Sequence, residues 1–203
     1  MTLSTPRRFI LASGSTIRAQ LLRNAGLGVE VIPAKIDEEA IRAALAAEDA
    51  SPRDLADTLA EMKARKISDK QPDALVLGCD QILECHRQVF SKPADPSDAR
   101  DQLSALKGRT HRLLSAAVIC QAGKPIWRHV GEVRLTMRDL SEAYLDDYVA
   151  RNWDSIRETV GCYKLEEEGV RLFSRIEGDY FNVLGLPLIE LLTWLGIRGD
   201  IAT

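Results

Sequence analysis

The sequence has little of what would announce a membrane, nucleic-acid or secreted protein. Only four of its 203 residues are cysteines, at 79, 85, 120 and 162, and no two form a CxxC pair. That scatter argues against a zinc site or a disulfide framework and for reduced thiols in a cytosolic setting. Lysine and arginine total 27 against 30 acidic residues, a net charge of -3. Both signs are interspersed, so there is no basic footprint for nucleic acid or anionic lipid. Aromatics make up 5% of the chain, too few for a platform of stacked bases. No apolar run has the length of a membrane span, and the opening Met-Thr-Leu-Ser-Thr-Pro-Arg-Arg has no apolar stretch behind it to make a signal peptide. These absences leave a soluble intracellular, cytoplasmic globular protein as the expectation. With 45% hydrophobic residues, the chain can build one large domain or two small ones sharing a core.

What is present is organised around Ala74-Leu-Val-Leu-Gly-Cys-Asp80-Gln81-Ile-Leu. Its apolar half reads as a buried strand, ending at a glycine and then an aspartate. A carboxylate at the end of a core strand is costly unless a cation, metal or proton occupies it. A turn aspartate after Gly78 is the alternative. Upstream, Phe9–Ala12 reads as a first strand, followed by Ser13-Gly-Ser-Thr16 and a helix over 17–24. Ile17, Leu21 and Leu22 face inward and Arg18 sits in the first turn. Strand, Ser/Gly loop and helix N-terminus form a geometry that catches anions, though Ser-Gly-Ser is also an ordinary cap.

A second strand is expected at 28–32. Acidic Asp37-Glu38-Glu39 then open a helix near 38–47, where acids suit the helix dipole. Ser51-Pro-Arg-Asp54 carries the signals of a further helix start, running to about 69. Along it Leu59, Lys63 and Ile67 share one face, so Lys63 lies on an apolar stripe. Its stem either snorkels past the core or its ammonium is held in a cleft. Next come a hairpin around His86-Arg-Gln88, an extended Lys92-Pro93, and a helix at 97–107. Two long strands follow at 110–120 and 125–137, the second alternating wet and dry faces at 132–137. A helix capped by Ser141 runs to about 151, burying Tyr144, Leu145 and Tyr148. A strand at 170–176 and a final helix burying Leu188, Ile189, Leu192 and Leu195 complete the chain. Asp179 reads either as a turn cap or as a metal ligand. The mixture of helices, hairpin and βα units gives an α/β class with a mixed sheet.

Six segments occur in one order: Leu11-Ala-Ser-Gly-Ser15-x-x-Arg18, Gly78-Cys-Asp80-Gln81, Lys92-Pro93, Leu106-Lys-Gly-Arg-Thr-His111, Val160-Gly-Cys-Tyr163 and Gly178-Asp-Tyr-Phe-Asn-Val-Leu-Gly-Leu-Pro187. Together they resemble the Maf family of nucleoside triphosphate pyrophosphatases, once named septum-formation inhibitors. The likeness runs from about residue 8 to 196, as a single domain. It implies a Maf/ITPase-like fold: a bent mixed β-sheet flanked by helices, in two lobes with the nucleotide in the cleft between them. It further implies hydrolysis of a nucleoside triphosphate to monophosphate and pyrophosphate, dependent on a divalent cation such as Mg²⁺ or Mn²⁺. By the same likeness Ser13, Ser15, Arg18, Lys63 and Lys92 bind phosphates. Asp80 is the proton acceptor, Glu38 and Asp80 hold the metal, and a homodimer is the assembly.

The residues depart from the commonest family pattern at three places, each bearing on the base. Ile17 stands where pyrimidine-type members carry the first of two arginines, and the upstream Ser4-Thr-Pro-Arg-Arg8 precedes the strand and is in the wrong context. Gln81 stands where those members have threonine, and Glu166 where they have glutamine. An ionised glutamate only accepts hydrogen bonds, which suits the N1–H and N2–H₂ edge of guanine, while N7-methylguanine adds a positive charge. The pattern is therefore similar to the 7-methyl-GTP subgroup, with a role in clearing modified nucleotides. A slip of one residue within Glu166-Glu-Glu168 would change which carboxylate faces the base. A dTTP/UTP pyrophosphatase and a non-catalytic nucleotide-binding regulator of cell division are the alternative readings.

Overall fold

The computed structural model of the chain describes residues 8–202. The opening stretch expected to hold no signal peptide, and the Ser4–Arg8 run apart from Arg8, lie outside them. In chain order the regular elements are β1 Phe9–Leu11, α1 Thr16–Asn24, β2 Val29–Val31, α2 Glu38–Ala47, α3 Pro52–Ser68, β3 Leu75–Cys85, β4 Gln88–Phe90 and α4 Pro96–Leu106. They continue with β5 Thr110–Gln121, β6 Lys124–Met137, α5 Glu142–Ile156, β7 Phe173–Glu177, α6 Tyr180–Val183 and α7 Leu188–Ile197. The strands form a seven-stranded sheet in the order β2-β1-β3-β5-β6-β7, with β4 on β3. Parallel pairs (β1 with β2 and β3) coexist with antiparallel ones (β3 with β4, β6 with β7), so the sheet is mixed, as expected. No helix among the described residues is long and apolar enough to cross a membrane.

The chain divides into two compact units: one holds the residues up to Asp80, Ser115–Gly131 and Gly185 onward, the other Gln81–Leu114 and Glu132–Leu184. In the first unit, β1 pairs in register with β3, Phe9 opposite Leu75 and Leu11 opposite Leu77. Alternate residues of β3 share a face, which sets Val76, Gly78 and Asp80 in one row. Val76 clusters with Ile67 of α3 and with Ile10 and Ala12. One step along, Gly78 meets the α3 backbone so closely that an added Cβ would sit 2.1 Å from the Ala60 carbonyl and 2.6 Å from the Ala64 nitrogen. This contact decides where Lys63, the neighbour of Ala64, ends up.

The second unit has its own core, in which Leu83, Leu103, Leu113, Leu135 and Tyr148 are buried. Val133, Leu135 and Met137 point inward and Glu132 and Arg134 outward, the alternation expected of β6. Its polar centre is His111, whose Nε2 lies 2.8 Å from the Tyr163 hydroxyl. The Tyr163 ring meets Phe173 edge-on at 4.7 Å.

Several expected elements differ. Asp80 is not at a strand end: β3 runs on to Cys85, so the turn reading is excluded and the glycine before it serves close packing. The hairpin after it turns on His86 and Arg87, both at positive φ (50° and 69°), a pairing that matches strand twist. Helix α5 continues to Ile156, five residues past its expected end, because Val149 and Ile156 are buried. Tyr144, expected to be buried, is only partly covered. The strand expected at 170–176 begins only at Phe173, since Glu168–Leu172 forms a tight 3₁₀ turn. On α7 it is Leu188, Leu191 and Leu195 that are buried, while Ile189 is 52% exposed. Asp179 is a cap: its Oδ1 accepts from the Phe181 and Asn182 amides at 2.8 and 3.3 Å.

Two outcomes follow from this packing. Gly78→Ala drives a methyl group into helix backbone, and urea denaturation should show a loss at or above the upper end of the roughly 1–3 kcal/mol typical of overpacking. Burial pushes the His111 imidazole down from 6.5 to about 4. The unfolded chain then takes up this proton below about 6.5 while the folded chain does not, so stability falls as pH drops through that window, by up to about 3 kcal/mol. Urea midpoints measured between pH 7 and 4.5 should fall less steeply for His111→Gln than for the unsubstituted protein.

Candidate functional site

In the first unit, three stretches far apart in sequence converge on one buried ammonium. Lys63 projects from α3 and is only 9% exposed. Its Nζ lies 2.6 Å from Asp80 Oδ1 and 2.8 Å from Glu38 Oε1. The snorkelling alternative is thereby excluded, because the charged end of the side chain is the part held inside. Glu38 reaches it from the first turn of α2, whose start is fixed by Asp37 Oδ1 accepting from the Ala40 amide at 3.0 Å. A lysine shared by two carboxylates keeps like charges together that would otherwise repel, at the cost of desolvating all three groups.

Asp80 is 6% exposed, and its two oxygens have different surroundings. Oδ1 takes the lysine, while Oδ2 is buried without a hydrogen bond. The Arg42 guanidinium faces Oδ2 at 3.8 Å, an ion-pair distance too long for a hydrogen bond. Leaving such an oxygen unsatisfied costs about 1–3 kcal/mol, which is tolerated where a ligand completes the set.

Arg18 lies at the neighbouring strand end. Its Nε donates to the Gly185 carbonyl at 2.8 Å, and its Nη1 to the Cys79 carbonyl at 3.2 Å and Ser13 Oγ at 3.3 Å. All three acceptors are neutral, so the guanidinium is held rigidly, and no described carboxylate forms an ion pair with it. Gly185, at φ +86°, makes room for it: a Cβ there would stand 2.7 Å from Nη2. Ser15 is the N-cap of α1, its Oγ accepting from the Arg18 amide. The capping reading thus holds, and the cap leaves the serine O–H available to donate. Ile17 is half-buried on the same helix.

The remaining expected site residues belong to the second unit. Lys92 is 57% exposed and pairs with Glu158 at 3.1 Å, a surface pair of small energetic consequence. The Gln81 amide donates to the Asn182 and Val183 carbonyls at 3.0 Å each, bracing α6. Of the three consecutive glutamates, Glu167 is hydrogen-bonded to Ser155 and Lys164, and Glu168 to Arg151 and Asn152. Those partners hold both carboxyls below the usual range. Glu166 is exposed, and no hydrogen bond or ion pair is seen for its side chain among the described residues. All four cysteines are buried free thiols, and burial raises Cys79, next to Asp80, to about 11.

Among the described residues no three His, Cys, Asp or Glu side chains cluster as a metal site. Glu38 and Asp80 are instead the two oxygen-donor carboxylates that could hold a cation, both drawn to Lys63. That set fits a Mg²⁺-like cation, which typically takes one or two carboxylates and completes its shell with phosphate oxygens and water. Sequence reasoning missed two residues here, Arg42 and Gly185. The i, i+4 spacing of Glu38 and Arg42 was the available signal for the first; the second was read only as part of a helix start.

The family model described as "Maf-like protein" matches residues 8–197. The chain is 67% identical to a protein named nucleoside triphosphate pyrophosphatase from Roseobacter denitrificans, over 97% of this chain and 98% of that one. It is 63% identical to one of the same name from Ruegeria pomeroyi, over 96% and 98%. To a protein named 7-methyl-GTP pyrophosphatase from Mesorhizobium japonicum it is 50% identical, again over 96% and 98%.

The Arg18 cradle is testable by Gly185→Ala. A left-handed backbone at a non-glycine residue costs about 1–3 kcal/mol, and the new methyl group displaces the guanidinium. Thermal unfolding should show that loss, and a crystal structure should show Arg18 shifted off the Gly185 carbonyl.

Proposed function

The chain belongs to the Maf family, whose relatives here are nucleoside triphosphate pyrophosphatases, and from that premise we propose that it hydrolyses 7-methyl-GTP to 7-methyl-GMP and pyrophosphate. The observation that carries the hydrolytic part is the Lys63 bridge between Asp80 and Glu38 beside an arginine held by neutral acceptors. Lys63 fixes Oδ1 of Asp80, which leaves Oδ2 as the atom turned to a water. That oxygen accepts the water's proton as the water oxygen attacks the α-phosphorus, and the bond from that phosphorus to the bridging oxygen breaks. Pyrophosphate leaves with that electron pair, and Arg18 and Lys63 neutralise the charge it gathers. Ser13 and Ser15 donate their hydroxyls to the phosphate tail. A divalent cation such as Mg²⁺ or Mn²⁺, held by Glu38 and Asp80, would supply charge neutralisation and a water of lowered pKa.

Selectivity for the methylated base rests on Glu166. Its two neighbours are committed to Ser155, Lys164, Arg151 and Asn152, so the carboxylate left to meet a base is Glu166. The relative from Mesorhizobium japonicum bearing the 7-methyl-GTP name supports the same reading. Ile17 and Gln81, in place of the arginine and threonine of pyrimidine-type members, agree with it. The likeness further supports a cytoplasmic homodimer that clears modified nucleotides.

Pyrophosphate release from 7-methyl-GTP, dTTP and UTP, each with Mg²⁺ and with chelator, tests the assignment. Turnover should be fastest on 7-methyl-GTP and vanish with chelator; a preference for either pyrimidine overturns the substrate. Asp80→Asn should lose at least about 100-fold in rate with little change in binding. Glu166→Gln should narrow the margin of 7-methyl-GTP over UTP by about 10-fold or more.

A further inference from the structure

We propose that Arg42 is a substrate contact, a cation that stands against Asp80 and turns to the polyphosphate tail when the nucleotide enters. The proposal rests on the pyrophosphatase reading but requires nothing about the base.

The placement comes from α2. Along that helix Glu38, Ile41, Arg42 and Leu45 are half-covered, at i, i+3, i+4 and i+7, and the other positions are exposed. This is one helical stripe, and it carries Arg42 to the same charge cluster as Glu38. The Arg42 side chain is 25% exposed, and among the described residues its ion-pair partner is Oδ2 of Asp80 at 3.8 Å. A guanidinium has five N–H donors, and none of these forms a hydrogen bond with another described residue. Three-quarters covered and without hydrogen bonds, it is a poorly satisfied group facing a poorly satisfied oxygen.

The three cations of the cluster are held in different ways. Arg18 is tied to two backbone carbonyls and a serine hydroxyl. Lys63 is tied to two carboxylates at 2.6 and 2.8 Å. Arg42 has only its long ion pair, and it stands on a helix with no fully buried residue. It is therefore the cation that can reorient at little cost. A planar fork of donors matches two phosphate oxygens better than a single carboxylate oxygen at 3.8 Å. Two carboxylates against three cations leave an excess positive charge, which a polyphosphate would neutralise.

The test compares Arg42→Gln, Arg42→Lys and the unsubstituted protein in two measurements. The first is hydrolysis of whichever nucleotide the unsubstituted protein turns over fastest. The second is calorimetric binding of inorganic tripolyphosphate with Mg²⁺. Losing a charge-assisted contact should raise KM and weaken tripolyphosphate binding by about 10-fold or more in Arg42→Gln. Arg42→Lys should recover part of each. The melting temperature should hold in both, since α2 buries no residue fully. Unchanged KM and tripolyphosphate affinity in Arg42→Gln would overturn the proposal, as would losses that track a falling melting temperature. Binding of tripolyphosphate requires no turnover. A protein that releases pyrophosphate from no nucleotide would therefore sink the pyrophosphatase reading, while Arg42 would still be judged by affinity.

Discussion

One ammonium between two carboxylates sets the terms for the rest of the charge cluster. Lys63 lies 2.6 Å from Asp80 and 2.8 Å from Glu38 in a part of the first unit where all three are at least partly removed from water. Without the lysine, two negative groups would face each other with no cation between them. Without the carboxylates, a lysine 9% exposed would be a buried bare charge. The arrangement exists because α3 can lie directly on β3, and it can do so because residue 78 has no side chain. A missing methyl group two positions before Asp80 thus controls an electrostatic contact.

The cluster leaves its polar groups less than fully paired among the described residues. A fold optimised for stability would pair Oδ2 of Asp80 and give Arg18 a carboxylate. Here the oxygen lacks a hydrogen bond, and the arginine is held by neutral acceptors that keep its charge available. Local departures from full satisfaction of this kind gather at functional sites. Rigid Arg18, bridged Lys63 and loosely held Arg42 form a graded set, from preorganised to adaptable. Such a set suits a ligand whose charge shifts from substrate to leaving group.

Much of this was legible in the residues. The helix at 38–47 was placed by its acids, that at 52–68 by its Ser-Pro-x-Asp start, and the face of Lys63 by the spacing of Leu59 and Ile67. Local signals sufficed there because caps and helical periodicity act over a few residues. Elsewhere they misled. Val170 and its neighbours have the composition of a strand, but Gly169 packs within 2.4 Å of the Lys164 carbonyl, counted from where its Cβ would be, and the chain turns instead. Helix α5 outran its pattern to its last residue, Ile156, which is buried. Among three successive glutamates, no local rule says which is free, and partners from α5 decided it.

The sequence by itself determined the α/β class, the strand carrying Asp80, the helix starts at the Ser13–Ser15 loop, Asp37–Glu39 and Ser51, and the identity of most charged candidates. Those follow from periodicity and from the chemistry of side chains near their own backbone. Only the tertiary structure decided that Lys63 joins Asp80 to Glu38, that Gly185 holds Arg18, and that Arg42 stands opposite Oδ2. These pairings link residues 17, 25 and 167 positions apart, along with one across helix and strand. They depend on how closely α3 approaches β3 and where α2 comes to rest, and packing of whole elements sets those distances.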